Sequence, residues 1–240
     1  MKICLNLSGQ VRLASGETLL DKIEHIKSAM HFDQIFMHLW IDDYLKYKDQ
    51  LSKIDNKSII IVEPPILDKK FYIPNISKII TPYPNREYNY VCEFYGIQCV
   101  FQRSCLEDYD IHIRARYDSC YVKELNLHNY FEILDSENPT AIIPMGGDWH
   151  LGVGNAFAIY NKTGAWLLQN IWTDIYKMCN ENIPFHPESL LRAYLKNKNN
   201  FDLFRISYPV ILNGKYLYHE EFNTGNIIMK DNMKFISEYL

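Results

Sequence analysis

Two arginines and an aspartate stand at the end of one short apolar segment of this chain. The segment Ile111 to Asp118 reads I-H-I-R-A-R-Y-D, with apolar residues at its first, third and fifth positions. This alternation predicts a buried β-strand whose carboxyl end carries Arg114, Arg116 and Asp118. Charged side chains are rarely buried without a partner, and ligands of open α/β sheets bind at the carboxyl ends of strands. The three residues therefore predict either an ion pair that closes the strand or a site for an anionic ligand.

A second polar segment follows the first predicted strand. Lys2 to Leu7 alternates in the same way and runs into S-G-Q-V-R, which contains Ser8, Gly9 and Arg12. Because the carboxyl ends of parallel strands meet at one edge of a sheet, we expect this segment to lie beside the two arginines. Guanidinium groups match phosphate oxygens bidentately, so the two segments together suit a phosphate or diphosphate. Asp118 could hold a divalent cation or a ribose hydroxyl at the same edge.

Two later segments also present polar groups where glycines or helix starts expose them. The loop Gly146 to Gly154 has four glycines in nine residues, which indicates sharp bends or a close backbone approach, and it contains Asp148. Farther along, Pro187 and Glu188 suit the first turn of a helix. By residue type alone, Asp148 fits a turn residue as well as a site residue. Glu188 likewise fits a helix-capping acid as well as a site residue. The histidines nearby and beyond lack partners at metal-ligand spacing and are interpreted as ordinary: His150, His186 and His219.

A literal D-x-D motif at Asp108 and Asp110 precedes the strand instead of following it. These aspartates should therefore lie at the edge opposite the expected site, and we interpret them as part of a helix-to-strand turn. Asp42 and Asp43 follow another predicted strand on the correct edge, but an acidic helix start explains them.

The composition excludes several classes of protein. The chain has 240 residues, most simply a single domain over residues 1–240, and a net charge of -4 with no run of Lys or Arg. It therefore offers no electrostatic footprint for nucleic acid. The six cysteines form no C-x-x-C pair, the start lacks a signal-peptide profile, and no apolar window could span a membrane. We expect a cytoplasmic protein without a transmembrane segment, for which peripheral contact with a membrane surface stays open.

Strands and helices alternate along most of the chain. This order predicts an α/β fold: a Rossmann-like, mostly parallel central sheet flanked by helices, with a small antiparallel or irregular C-terminal part. Ser15 is the expected N-cap of the first helix. The predicted helices run from about Ser15 to Met30, Asp42 to Ile54, Tyr88 to Leu106 and Thr163 to Asn180, and one more begins at Pro187.

Taken in order, several segments resemble bacterial and viral glycosyltransferases of the GT-A type, especially enzymes of capsule and surface-polysaccharide synthesis. The pattern of that group has a Y-D-x-x-I-R-x-R-x-D strand in place of the usual D-x-D. The resemblance covers most of the chain and rests on these runs: S-G-Q-V-R, F-D-Q-I-F-M-H-L-W, E-F-Y-G-I-Q, Y-D-I-H-I-R-A-R-Y-D, G-G-D-W-H-L-G-V-G-N-A-F-A-I-Y and H-P-E-S-L-L.

The resemblance implies a GT-A-like fold and a role for each matching residue. It places six residues around the nucleotide and its diphosphate: Ser8, Gly9, Arg12, Arg114, Arg116 and Asp118. Asp148 would face the sugar or the acceptor, and Glu188 occupies the place of the carboxylate base in inverting enzymes. Either carboxylate, Glu188 or Asp148, could serve as the catalytic base. Asp118 would be the ligand of a manganese or magnesium ion. Only one aspartate of the D-x-D pair remains, so metal dependence stays open, because two arginines could neutralise the diphosphate themselves.

The implied function is that of an inverting, hexosyltransferase-like enzyme. It would move a sugar from a nucleotide-sugar donor to a glycan, lipid-linked or protein-linked acceptor. One alternative is a module of the same fold that binds a nucleotide sugar or glycan but turns nothing over. The other is a metal-dependent phosphoesterase, which needs clustered Asp and His ligands that the sequence does not show.

Overall fold

A computed structural model describes most of the chain. The described residues are 1–54, 59–62, 86–121, 123–144, 154–178, 183, 186–198, 200–206, 208, 210–212, 215–216 and 229–230.

The central element is an eight-stranded sheet with the order β11-β8-β6-β7-β4-β1-β2-β3. Six of its strands run in one direction, and only β7 and β11 run against them. The strands of the chain are β1 (Ile3–Leu7), β2 (Gln34–Trp40), β3 (Ile59–Val62), β4 (Ile111–Ala115), β5 (Ser119–Tyr121), β6 (Thr140–Pro144), β7 (Phe157–Asn161), β8 (Asp202–Ile206), β9 (Val210–Leu212), β10 (Lys215–Tyr216) and β11 (Met229–Lys230).

Helices cover both faces of this sheet. The apolar residues of α1 and α2 join one core cluster, and those of α3, α5, α6 and α7 join a second cluster on the opposite face. A short 3₁₀ turn at Leu127–Tyr130 leads into α4. The helices are α1 (Leu19–Ala29), α2 (Ile41–Leu51), α3 (Arg86–Ser104), α4 (Phe131–Leu134), α5 (Lys162–Leu168), α6 (Ile171–Met178) and α7 (Pro187–Lys196).

The predicted α/β fold with a mostly parallel sheet is confirmed. The strands β9 and β10 also form a small antiparallel sheet with β5, which confirms the antiparallel C-terminal part. Because β5 begins directly after Asp118, this second sheet fixes the chain on the far side of the segment that carries the two arginines.

Two predictions about helices are wrong. The first helix is capped by Thr18 and not by Ser15: the Thr18 hydroxyl accepts from the Asp21 backbone N–H at 3.1 Å, and the Asp21 carboxylate accepts from the Thr18 N–H at 2.9 Å. The helix expected from Thr163 to Asn180 is two helices, α5 and α6.

The break between α5 and α6 is stabilised by side chains from other helices. The Tyr194 hydroxyl donates to the carbonyl of Leu167 at the end of α5. The Gln98 side chain of α3 accepts from the backbone N–H groups of Trp172 and Thr173, at 3.1 and 3.3 Å, at the start of α6. These contacts satisfy backbone groups that the interruption leaves without helical partners.

Helix α3 packs closely on β2 because of one glycine. A Cβ atom at Gly96 would lie 2.9 Å from Nδ1 of His38, which is closer than van der Waals contact allows. The His38 ring is fully buried, with its centroid 4.5 Å from Trp40 and 6.1 Å from Tyr95, so it has no room to move away. Burial also lowers the pKa of His38 to about 4, which keeps this ring neutral at physiological pH.

We therefore expect Gly96→Ala to destabilise the protein by about 1–3 kcal/mol, as overpacking does in a full core. In an unobstructed helix the same change would stabilise by about 1 kcal/mol. Urea unfolding measures the difference, and Asn89→Ala at an exposed position of α3 is the control, expected within about 0.5 kcal/mol of wild type. A Gly96→Ala variant as stable as wild type would contradict the close packing.

Candidate functional site

The segments after β1 and β4 meet at one edge of the sheet. The two strands are parallel neighbours, with Leu7 opposite Ala115, and the Ser8 N–H donates to the Ala115 carbonyl at 3.2 Å. Gly9 has a φ of +111°, a conformation that favours glycine, and a Cβ there would stand 4.0 Å from Cγ of Arg116. The predicted convergence of the two segments is confirmed, while their role in binding stays a prediction.

Arg116 and Asp118 form a bidentate ion pair at this edge. Nε and Nη2 of Arg116 donate to the two carboxylate oxygens of Asp118 at 2.9 and 2.8 Å. The Asp118 side chain is only 3% exposed, whereas that of Arg116 is 21% exposed. A ligand at this edge would therefore contact Arg116 and not Asp118.

Arg114 is buried behind Arg116, on the face of the sheet that α3 covers. Its side chain is 2% exposed, and Nη2 donates to Oε1 of Glu93 at 3.0 Å. Burial lowers the pKa of Arg114 and Glu93 opposes that shift, yet an arginine remains charged at neutral pH. Among the residues that the structure describes, no acceptor bonds to Nε or Nη1 of Arg114.

Glu93 connects both arginines to the segment before β7. Its Oε1 also accepts from Nδ2 of Asn155, just before β7, at 3.1 Å and lies 3.7 Å from Nη1 of Arg116. The sequence reasoning missed both residues. One signal was available: Glu93 stands three residues after Tyr90 and four before Ile97, on the apolar side of its helix.

The charges of this cluster balance. Two guanidinium groups face the carboxylates of Glu93 and Asp118. Burial by itself would lower the pKa of Arg116, but Glu93 first, then Asp118 and more weakly Glu188, together raise it. An anionic ligand would therefore have to replace a carboxylate in contact with Arg116. Glu188 also lies within electrostatic range of that guanidinium.

Glu188 lies in the first turn of α7, beside a histidine. Nδ1 of His186 and Oε2 of Glu188 are 2.5 Å apart, and the two side chains are about equally buried. The His186 ring also contacts Tyr90 edge-on, with 5.6 Å between the centroids. The interpretation of Glu188 as a helix-start acid is compatible with its position, but the contact with His186 gives it a partner that the sequence did not indicate.

The remaining predicted site residues lie apart from this cluster or outside the described residues. Arg12 is exposed, and its Nε and Nη2 donate to Oε1 of Gln10 at 3.1 and 3.0 Å. Asp43 reaches the same loop from α2, because its carboxylate accepts from the Val11 N–H at 3.2 Å. Asp148 and its glycine loop lie outside the described residues.

The arrangement does not fit a resident divalent cation as the side chains stand. Both oxygens of Asp118 accept from Arg116, and the positive charge of that guanidinium repels a metal ion from the carboxylate. In the described part of the chain, no three His, Cys, Asp or Glu side chains form a group that could hold one. A manganese or magnesium ion at Asp118 would require Arg116 to move away, and its binding stays a prediction.

The literal D-x-D motif lies at the opposite edge, as expected. Asp108 pairs with Lys162 at 2.6 Å, and Asp110 accepts from the backbone N–H of Lys2 at 2.7 Å. Both aspartates precede β4, so they cannot reach the cluster around Arg116.

Comparisons with known proteins find similarity of fold only. No protein-family profile matches the chain, and no curated protein matches it significantly. Mouse xyloside xylosyltransferase 1 is 11% identical to this chain. The match covers 84% of this chain and 83% of that protein, with a TM-score of 0.43. A glycosyltransferase involved in the glycosylation of the major capsid of PBCV-1 is 10% identical, with 85% and 81% coverage and a TM-score of 0.43.

A nucleoside-diphosphate-sugar pyrophosphorylase from Vibrio cholerae is 11% identical, with 89% and 96% coverage and a TM-score of 0.46. At this level of similarity the comparisons assign neither a family nor an activity.

None of the described helices combines the length and the apolar composition that crossing a bilayer requires.

Proposed function

We propose that this protein transfers a sugar from a nucleotide-sugar donor to a glycan, lipid-linked or protein-linked acceptor. The observation that carries the proposal is a partly exposed arginine, Arg116, at the edge of the sheet where β1 and β4 end. Arg116 stands beside the loop of Ser8 and Gly9, and Glu188 of α7 lies within electrostatic range of its guanidinium. A glycosyl transfer needs both groups: positive charge at the leaving diphosphate and a base at the acceptor hydroxyl.

Arg116 would bind the diphosphate of the donor. Its guanidinium already holds two carboxylate oxygens in a fork, and phosphate oxygens accept the same geometry. Arg114, buried behind it, would add positive charge without direct exposure, and Ser8, Gly9 and Arg12 would line the nucleotide. As the bond between the anomeric carbon and the diphosphate breaks, these charges stabilise the departing anion.

Glu188 would take the proton of the acceptor hydroxyl. The bond between the acceptor oxygen and the anomeric carbon then forms on the face opposite the leaving diphosphate, which inverts the configuration at that carbon. His186 contacts the Glu188 carboxylate and would orient it. Asp148 would face the sugar or the acceptor. The proposed steps do not require a metal ion.

A thermal-shift panel of nucleoside diphosphates and nucleotide sugars, run with and without manganese, tests this proposal. At a free concentration of 100 times Kd, a ligand stabilises by about 2.7 kcal/mol, which raises Tm by roughly 5–10 °C in a domain of this size. We expect such a rise for at least one nucleotide sugar. No rise with any nucleotide, in either condition, would overturn the proposal.

Release of nucleoside diphosphate in the presence of acceptor then distinguishes an enzyme from a binding module. A protein that binds the donor but releases none would be the module. A dependence of the shift on manganese would show whether a cation takes part in donor binding.

A further inference from the structure

We propose that Glu93 is a positioning residue of the donor site, which sets the place of both arginines and so determines how tightly a diphosphate binds. The inference rests on the proposed function, because it concerns the same site. Glu93 lies on a helix that precedes β4 by several residues, at the start of the run E-F-Y-G-I-Q, and it has no role in the site that the sequence predicts.

One carboxylate oxygen of Glu93 is the meeting point of three elements. Oε1 accepts from Nη2 of Arg114 on β4 at 3.0 Å and from Nδ2 of Asn155 before β7 at 3.1 Å, and it lies 3.7 Å from Nη1 of Arg116. The Glu93 side chain is 13% exposed, so these contacts are largely shielded from water. Shielded, charge-assisted contacts fix geometry more firmly than exposed ones do.

The two arginines differ in their burial and in their distance from Glu93. Arg114 is enclosed and in direct contact with Glu93, whereas Arg116 is partly exposed and lies farther from the same oxygen. When a diphosphate replaces Asp118 as the partner of Arg116, Glu93 is the carboxylate that remains beside that guanidinium. Glu93 would thus keep Arg116 directed at the ligand after the original ion pair has opened.

A purely electrostatic role of Glu93 predicts the opposite result. If Glu93 only offset the charge of the arginines, removing its charge would leave the site more positive and would strengthen the binding of an anion. If Glu93 positions the arginines, the same change weakens binding in spite of the added positive charge. The sign of the change therefore separates the two roles.

The test is calorimetric titration of inorganic pyrophosphate into the wild type and Glu93→Gln. We expect Kd to rise at least tenfold in the variant. Glu107→Gln is the matched control, because it removes the same charge from an exposed ion pair with Arg103 at the far end of the helix, and it should bind as wild type does. Unchanged or tighter binding by Glu93→Gln overturns the inference.

Glu93→Gln leaves Arg114 buried without a charged partner, which could prevent folding. A second variant, Glu93→Asp, provides a test in that case. Glu93→Asp keeps the charge but withdraws the carboxylate by one methylene, so positioning predicts weaker binding of pyrophosphate again. Wild-type affinity in Glu93→Asp overturns the inference. If the wild type itself binds neither pyrophosphate nor any nucleotide, the proposed function fails as well, which is a different result from a variant that binds normally.

Discussion

Arg116→Ala is expected to weaken nucleotide-sugar binding by about 10- to 100-fold, which corresponds to about 1.5–3 kcal/mol for hydrogen bonds to a charged group. Arg116 is the partly exposed arginine at the edge where β1 and β4 end, so it is the group that would contact the donor diphosphate. Isothermal titration with the nucleotide sugar found in the thermal-shift panel measures the change. Circular dichroism should show that the variant remains folded.

The control for this change is Arg103→Ala, which removes an exposed arginine paired with Glu107 at the other end of α3. It should leave donor affinity at the wild-type value. Wild-type affinity in Arg116→Ala as well would remove Arg116 from the donor site and contradict the account.

Asp118→Asn extends the same experiment to the cation. Asp118 occupies the guanidinium fork of Arg116 that a diphosphate would need, so without manganese we expect the variant to bind the donor at least as tightly as wild type does. A loss confined to samples with manganese would instead assign Asp118 to a metal ion. Asp108→Asn, in the literal D-x-D motif at the opposite edge, is the matched control and should bind as wild type does.

Glu188→Gln is expected to lower kcat by about 10²–10⁴, the usual contribution of a general base, while the donor Kd changes little. The amide keeps the shape of the side chain and its position in the first turn of α7 but cannot accept the acceptor proton. Steady-state kinetics with donor and acceptor, together with donor titration, separate the two quantities.

Glu132→Gln is the matched control for Glu188→Gln, because Glu132 is an exposed acid in the first turn of another helix, α4. If Glu188 served only its helix, both variants would lose a few tenths of a kcal/mol of stability and no kcat. Equal losses of kcat and donor affinity in Glu188→Gln would argue against a base.

The meeting of the segments after β1 and β4 was predictable from the sequence because it follows from the parallel direction of the two strands. Apolar alternation identified β1 and β4, and parallel pairing then brings Ser8 and Arg116 to one edge. The same geometry sends Asp108 to the other edge, whatever its motif suggests.

The sequence placed Glu93 on the apolar side of its helix, but it could not identify the partners of Glu93, because contacts between distant segments leave no periodic signal. Glu93 reaches Arg114 only through the packing of α3 on the sheet, and Asn155 joins them from the start of β7. The break between α5 and α6 was hidden for a related reason: apolar residues keep a spacing of four across it, while Gln98 from α3 caps the second helix.

The N-cap of α1 was predictable from a local sequence pattern. The sequence T-x-x-D at Thr18 and Asp21 is a local capping pattern, and the structure shows both of its hydrogen bonds. Ser15 stands four residues before Leu19, the first apolar position of the helix, whereas Thr18 directly precedes it, and the reciprocal pair determines where α1 begins.

Hydrogen exchange with and without the donor tests the central claim most directly, because it locates the ligand without any substitution. Exchange of the segments at 8–12 and 116–119, which follow β1 and β4, should become slower when the nucleotide sugar is bound. Exchange at 105–110, which includes Asp108 and Asp110 at the opposite edge, should not change. Protection confined to 105–110, or no protection at 8–12 and 116–119 under saturating donor, would contradict the central claim.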